Sequence, residues 1–221
     1  FATKPSDDLD AESSRSTVLS GAALGHDPAT IKQYVAASAH WRDVPQTRRR
    51  QVLVFTADNQ PGFATKLIAE IPAEKNPTLR NDMILSLIST RQPKVIEEAL
   101  PLLLESKVDI HESTVLLYAQ SNEPVRAEVE KFYLAHAEEL AKRFGEDVES
   151  GAIYAEVGLF TAACDPRRRD EIVAAIAPFA KKPGAERVVA QATEGLDQCI
   201  ATRTVLEPEI REWLDSVKLG K

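Results

Sequence analysis

The sequence predicts an all-α fold, a curved superhelical cap of stacked antiparallel helix pairs, and three observations predict it. Apolar residues recur at helical spacing along most of the chain, as in Val52 and Phe55, Leu67 and Ile71, or Ile84, Leu87 and Ile88, with almost no alternating pattern. Prolines stand one by one at points where a helix ends and another can begin without losing a needed donor. A weak self-similarity with an interval of a little over thirty residues runs through the first half. The composition agrees: 43% of the 221 residues are hydrophobic and 28% charged, which suits a chain that folds around a core.

The elements follow in order. Residues 1–12 are polar and acidic without periodicity and read as a disordered leader or linker, so order is expected from near Ser13, in a single helical-repeat domain over 13–221. Breaks fall at Gly25-His26-Asp27-Pro28, Asp43-Val44-Pro45, Asn59-Gln60-Pro61-Gly62, Lys75-Asn76-Pro77 and Gln92-Pro93. The segment Arg15-Ser16-Thr17-Val18-Leu19 resembles Arg49-Arg50-Gln51-Val52-Leu53, which in turn resembles Arg80-Asn81-Asp82-Met83-Ile84, at intervals of 34 and 31 residues. Each unit sets an Arg about one turn before an apolar position and continues into a second helix. One-sided apolar stripes of this kind are buried only against neighbouring pairs, which predicts HEAT-like or armadillo-like stacking over 13–122. Over 123–221 the helices lengthen. Pro124–Phe144 is one amphipathic element ended by Gly145, Gly184 to about Arg203 is another, and Pro208–Val217 is the last. Glu207-Pro208-Glu209 suits a helix start, and Trp213 and Leu214 are expected to anchor that helix to the preceding ones.

A net charge of −7 supplies no uniform positive field, so nucleic acid is not an expected partner. No run approaches the ~20 apolar residues that span a bilayer, and the first thirty residues carry no basic stretch followed by an apolar one. A soluble chain without a membrane partner follows, with the cytoplasm favoured over secretion. The start at Phe1 in place of Met reads as a piece of a longer or processed polypeptide. Cys164 and Cys199 lie far apart and outside C-x-x-C spacing, so neither a disulfide framework nor a zinc knuckle is read, and both are expected as small buried hydrophobes.

His111-Glu112 opens a zinc-protease motif, but the motif needs a second His one turn on so that two imidazoles face one metal, and position 115 is Val. The pair reads instead as a first helical turn, with Asp109 as cap and Glu112 supporting it as in a capping box. His26, His40 and His136 have no His or Cys at i+3 or i+4. There is no G-x-S-x-G, no Gly-rich phosphate loop and no base near Cys164 in sequence. No catalytic residue, metal ligand or cofactor is therefore nominated in this chain. Two basic clusters, Arg48-Arg49-Arg50 and Arg167-Arg168-Arg169, sit at helix starts, where cations oppose the macrodipole. Their plain reading is solvated charge. On a concave face, such a cluster would offer paired donors to a peptide carboxylate.

In the last hundred residues a series of motifs stands in order: Phe132 through Leu140 to Arg143-Phe144-Gly145, then Phe160-Thr161, then Arg187-Val188-Val189-Ala190-Gln191-Ala192-Thr193-Glu194 with Ile200, then Ile210-Arg211-Glu212-Trp213-Leu214. This series resembles the helical C-terminal domain of zinc aminopeptidases of the aminopeptidase N, puromycin-sensitive and endoplasmic-reticulum trimming type. Val108-Asp109-Ile110-His111-Glu112 and the Arg-led helices fit the HEAT-like first half of that domain. Glu130 and Ala137 stand where the family's long helix usually carries Trp, which suggests a divergent subfamily. The resemblance implies that zinc and the H-E-x-x-H pair belong to an upstream catalytic domain of the same polypeptide. This chain would then be a non-catalytic cap that closes the active-site chamber and helps select peptide substrates. Arg126, Arg167, Arg168, Arg169 and Arg187 are the candidate peptide-facing cations. The alternative is a free-standing HEAT-like scaffold that binds another protein.

Overall fold

The computed structural model describes residues 9–144, 152–161, 164–182 and 184–217, and among them every regular element is helical. The chain divides into two compact units, Phe1–Arg143 and Phe144–Lys221.

The first unit contains α1 (Leu9–Leu24), α2 (Pro28–Ala37), α3 (Gln46–Asn59), α4 (Phe63–Glu70), α5 (Pro77–Ile88), α6 (Pro93–Ala99), the short α7 (Ile110–Ser113) and nearly all of α8 (Arg126–Phe144). All five breaks expected from proline separate helices here. Asp27 caps α2 through Thr30 N at 2.8 Å, and Asn76 caps α5 through Thr78 N and Leu79 N at 3.0 and 3.3 Å. Gly62, at φ 78°, supplies the left-handed residue that turns the chain into α4. Residues 9–12 of the expected leader belong to α1, with Asp10 near a helix N-terminus where its charge is favourable, and residues 1–8 lie outside the described residues.

Consecutive helices pack as pairs and the pairs stack: α3 lies against α1, α2 and α5, α4 against α6, and α5 against a 3-10 segment, Thr114–Ser121. Their facing stripes bury Tyr34, Leu53, Ile71, Ile84, Leu103 and Leu116 almost completely. This is the HEAT-like arrangement. The repeat is also written in polar bonds that join each pair to the next. Arg49 Nη1 donates to Asp82 Oδ2 at 2.7 Å, 33 residues on. Arg80 grips Glu112 with two donors at 2.5 and 2.8 Å, 32 residues on. Thr65 donates to Glu98 across 33 residues, Thr90 to Asp58 across 32, and the Asn122 amide to the Ile88 carbonyl across 34. Arg49 and Arg80, which open two of the repeats, therefore each reach an acid of the following one.

Those bonds correct two expectations. Asp109 does cap α7, accepting from His111 N at 2.8 Å, but the Glu112 carboxylate is held by Arg80 and does not close a capping box. Arg48-Arg49-Arg50 is no surface patch either. Arg48 is only 2% exposed, Arg49 is half-buried on Asp82, and Arg50 alone is exposed. Successive helical positions point in directions about 100° apart, so three adjacent arginines cannot share one face.

The second unit contains α9 (Ala152–Thr161), α10 (Arg169–Ile176) and α11 (Glu186–Ser216), with α11 packed on α9, α10 and the Ala177–Lys181 turn. Val157, Leu159, Ile172, Ile176 and Leu196 are buried, and the almost fully buried Glu156 meets Lys182 Nζ at 3.4 Å. Two expectations fail here for tertiary reasons. Cys164 and Cys199 form a disulfide, with an S–S distance of 1.97 Å across 35 residues of sequence. No local spacing signals such a pair; the fold brings it together. The separate terminal helix from Pro208 is instead the continuation of α11, with Pro208 inside it, and Trp213 and Leu214 are 62% and 52% exposed, not anchored. Gly145, the expected stop of α8, lies outside the described residues.

Proline removes one helical hydrogen bond and usually kinks or ends the helix. Around Pro208 the turn is spanned by side chains: Arg203 Nε and Arg211 Nη2 both donate to the Glu207 carboxylate, at 2.8 and 2.6 Å, each one turn away. Such i,i+4 pairs support a helix on its exposed side.

Candidate functional site

A concavity lined by one of the nominated cations lies in the second unit, about 440 Å³ in volume, between the Asp165–Arg167 segment and the middle of α11. The disulfide positions it. Cys199 sits one turn ahead of Arg203 on α11, and its bond to Cys164 fastens the neighbouring Asp165 and Arg167 to that helix. Asp165 caps its own turn through Arg167 N at 2.9 Å and takes two further bonds from the Arg167 guanidinium at 3.1 and 2.8 Å. Across the concavity stand Arg203, Glu207 and Arg211.

The electrostatics are those of a surface network of three guanidiniums and two carboxylates. The hydrogen bonds from Arg203 and Arg211 hold Glu207 down to about 2, and those from the Arg167 side chain and backbone hold Asp165 down to about 2. The Glu207 carboxylate raises Arg203, which also senses Asp165 and Arg167. Thr204, also on the lining, spends its hydroxyl on the Ile200 carbonyl. The arrangement offers paired donors to an anion, with one cation in excess of the acids. It holds no nucleophile with an adjacent base.

The nominated arginines are not gathered into one site. Arg167 lines the concavity. Arg168 pairs with Glu171 at 3.1 Å, and Arg169 binds Asp197 of α11 through two donors at 2.8 and 2.9 Å, so both tie helices or turns together. Arg187 is exposed in the first turn of α11. Arg126 belongs to the first unit, half-buried, with Nε on the Gln120 carbonyl at 2.9 Å. Arg203 and Arg211 escaped nomination. Their shared side of α11 becomes visible only once the helix is known to run through Pro208.

Nothing among the described residues gathers three or more His, Cys, Asp or Glu side chains into a metal-binding set. Glu112, beside His111, is engaged by Arg80, and the sequence has no H-E-x-x-H.

The Glu207 network carries a pH prediction. Because the folded-state pKa is depressed, the support it gives the helix is fully present above the ordinary glutamate range and is lost as pH falls through about 2. A carboxyl carbon-13 titration should therefore show Glu207 ionised well below the ordinary glutamate range. In Arg203→Ala/Arg211→Ala its midpoint should return to the ordinary range; an unchanged midpoint would show that the arginines are not the cause.

Comparison with known proteins places this arrangement. Residues 1–198 match the family described as the ERAP1-like C-terminal domain, while no curated protein matches the chain. The matched stretch includes the helix stack, α9, α10, Cys164 and the first part of α11, and stops before Cys199 and the Ile210–Leu214 motif. The chain belongs to the ERAP1-like C-terminal domain family.

Proposed function

We propose that this chain is part of a non-catalytic C-terminal cap of a zinc aminopeptidase, closing the active-site chamber and helping to select peptides from which N-terminal residues are removed. The observation that carries the reading is the family match over residues 1–198, in a sequence without H-E-x-x-H. Stacked helix pairs suit the role, because they form a stiff wall whose position controls access and excludes water. Zinc and the groups that activate water belong, on this reading, to a catalytic domain in the same polypeptide. Among the nominated cations, Arg167 is the one best placed to meet a peptide carboxylate, together with Arg203 and Arg211. Arg126, Arg168 and Arg169 serve as ties inside their units, and Arg187 is a second, isolated candidate.

No described helix is long and apolar enough to cross a membrane. The Cys164–Cys199 bond weighs against the cytoplasm and for an oxidising compartment, because cytosolic thiols are kept reduced.

The test is to assay the whole polypeptide that carries this chain on peptides of graded length. Zinc-dependent release of N-terminal residues is expected, with Arg167→Ala altering the length preference and not the release from dipeptides. If the whole polypeptide releases nothing, the scaffold reading replaces this one.

A further inference from the structure

The second half of α11 presents an apolar face that the other described residues leave uncovered. Leu206, Ile210, Trp213 and Val217 follow one another at spacings of four, three and four, the a/d spacing of a helix-pairing seam, and all four are exposed. On a helix of about 100° per residue they continue the stripe that begins with Val188 and Leu196, which are buried in the second unit. Nearly the whole stretch 201–217 is exposed, and it lies beyond the residues that match the family. The first half of the stripe is thus core, and the second half is core-like in composition but solvated. A contiguous apolar face of this kind on an ordered helix marks an interaction surface.

The flanking charges say what fits. On one edge, Arg203, Glu207 and Arg211 neutralise one another along the helix. On the other edge stand Glu209 and Glu212, with Asp215 behind them, and none of these three has an ion-pair partner among the described residues. The half-helix therefore carries two cations against four acids. A negatively charged lipid surface would be repelled by that balance, since interfacial helices rely on Lys and Arg on their polar face. A second copy in a two-fold antiparallel pair would set the Glu209 edge against its own equivalent, like charge against like. An amphipathic helix with a basic edge satisfies both the stripe and the acids.

We propose that the 201–216 half of α11, together with its C-cap Val217, is a docking face for an amphipathic helix of a partner protein, one that lays its apolar seam on Leu206, Ile210, Trp213 and Val217 and sets Lys or Arg beside Glu209 and Glu212. The inference stands independently of the aminopeptidase reading, because it rests on residues outside the family match.

The probe is a fluorescein-labelled synthetic helix with Leu at its a and d positions and Lys along both edges, titrated with the full chain and followed by anisotropy. A control peptide carries Glu in place of each Lys. The Lys-edged peptide is expected to bind, with at least tenfold weaker binding of the Glu-edged one. Ile210→Glu and Trp213→Lys should each weaken binding at least tenfold while circular dichroism stays unchanged, because both side chains are exposed. Glu209→Lys/Glu212→Lys should reverse the preference between the two peptides. The proposal is overturned if the two peptides bind equally, if neither binds, or if the charge reversal leaves the preference unchanged. It is also overturned if sedimentation shows a dimer that Ile210→Glu dissociates, or if the chain binds anionic vesicles in preference to the Lys-edged peptide.

Discussion

Asp82→Ala is expected to destabilise the first unit by about 3 kcal/mol, the low end of the cost of breaking a buried ion pair from one side. The side chains of Arg49 and Asp82 are only 11% and 7% exposed, and their 2.7 Å bond joins one repeat to the next. Removing the carboxylate leaves a guanidinium with little access to water, in a wall whose neighbours Val52, Leu53 and Met83 are already fully buried. The loss comes mainly from the stranded charge, so a paired apolar replacement should largely cancel it. Arg49→Met/Asp82→Leu is accordingly expected to lie within about 1 kcal/mol of the parent. Urea unfolding of the three proteins in a Trp213→Phe background separates these cases, because Trp41 then reports the first unit alone. If the single and double variants fall equally, the bond is a net stabiliser and not a paired liability.

That pair also shows what the sequence disclosed and what it hid. The interval from Arg49 to Arg80 was legible because a repeat must solve the same packing problem each time, and the structure gives the Arg its purpose: an acid about one repeat further on. Asp27, Asn76 and the prolines announced the helix starts because caps and missing N–H groups act locally. Local reasoning failed where contacts are non-local or compensated. Pro208 looked like a boundary, but Arg203, Glu207 and Arg211 span it, and a continuous α11 then carries Trp213 out into solvent instead of back onto the unit. The concavity was half legible for the same reason: Arg167 stood out in a basic run, whereas Arg203 and Arg211 gain their meaning only from sharing a face of α11.

Reduction of Cys164–Cys199 is expected to have a comparable effect on the second unit, a loss of about 3–4 kcal/mol for a closed loop of this length on the chain-entropy account. The bond spans α10 and the first turns of α11, so cutting it frees the segment that carries Asp165 and Arg167. What then holds that segment is largely polar and exposed: Arg169 on Asp197, and Arg167 on its own neighbour Asp165. Exposed pairs of this kind are screened by water and contribute well under the disulfide. The thermal transition of the second unit should therefore fall on adding a phosphine reductant, and fall to the same temperature in Cys164→Ala/Cys199→Ala without it. Reductant should leave that double variant unmoved, and the Asp82 variants should respond to it as the parent does, since their lesion lies in the other unit. Thiol titration of the native chain gives the opposing outcome: two reactive thiols before reduction, with no shift in the transition afterwards, would mean that α11 holds the Asp165–Arg167 segment without a covalent tie, and the compartment argument drawn from the bond would go with it.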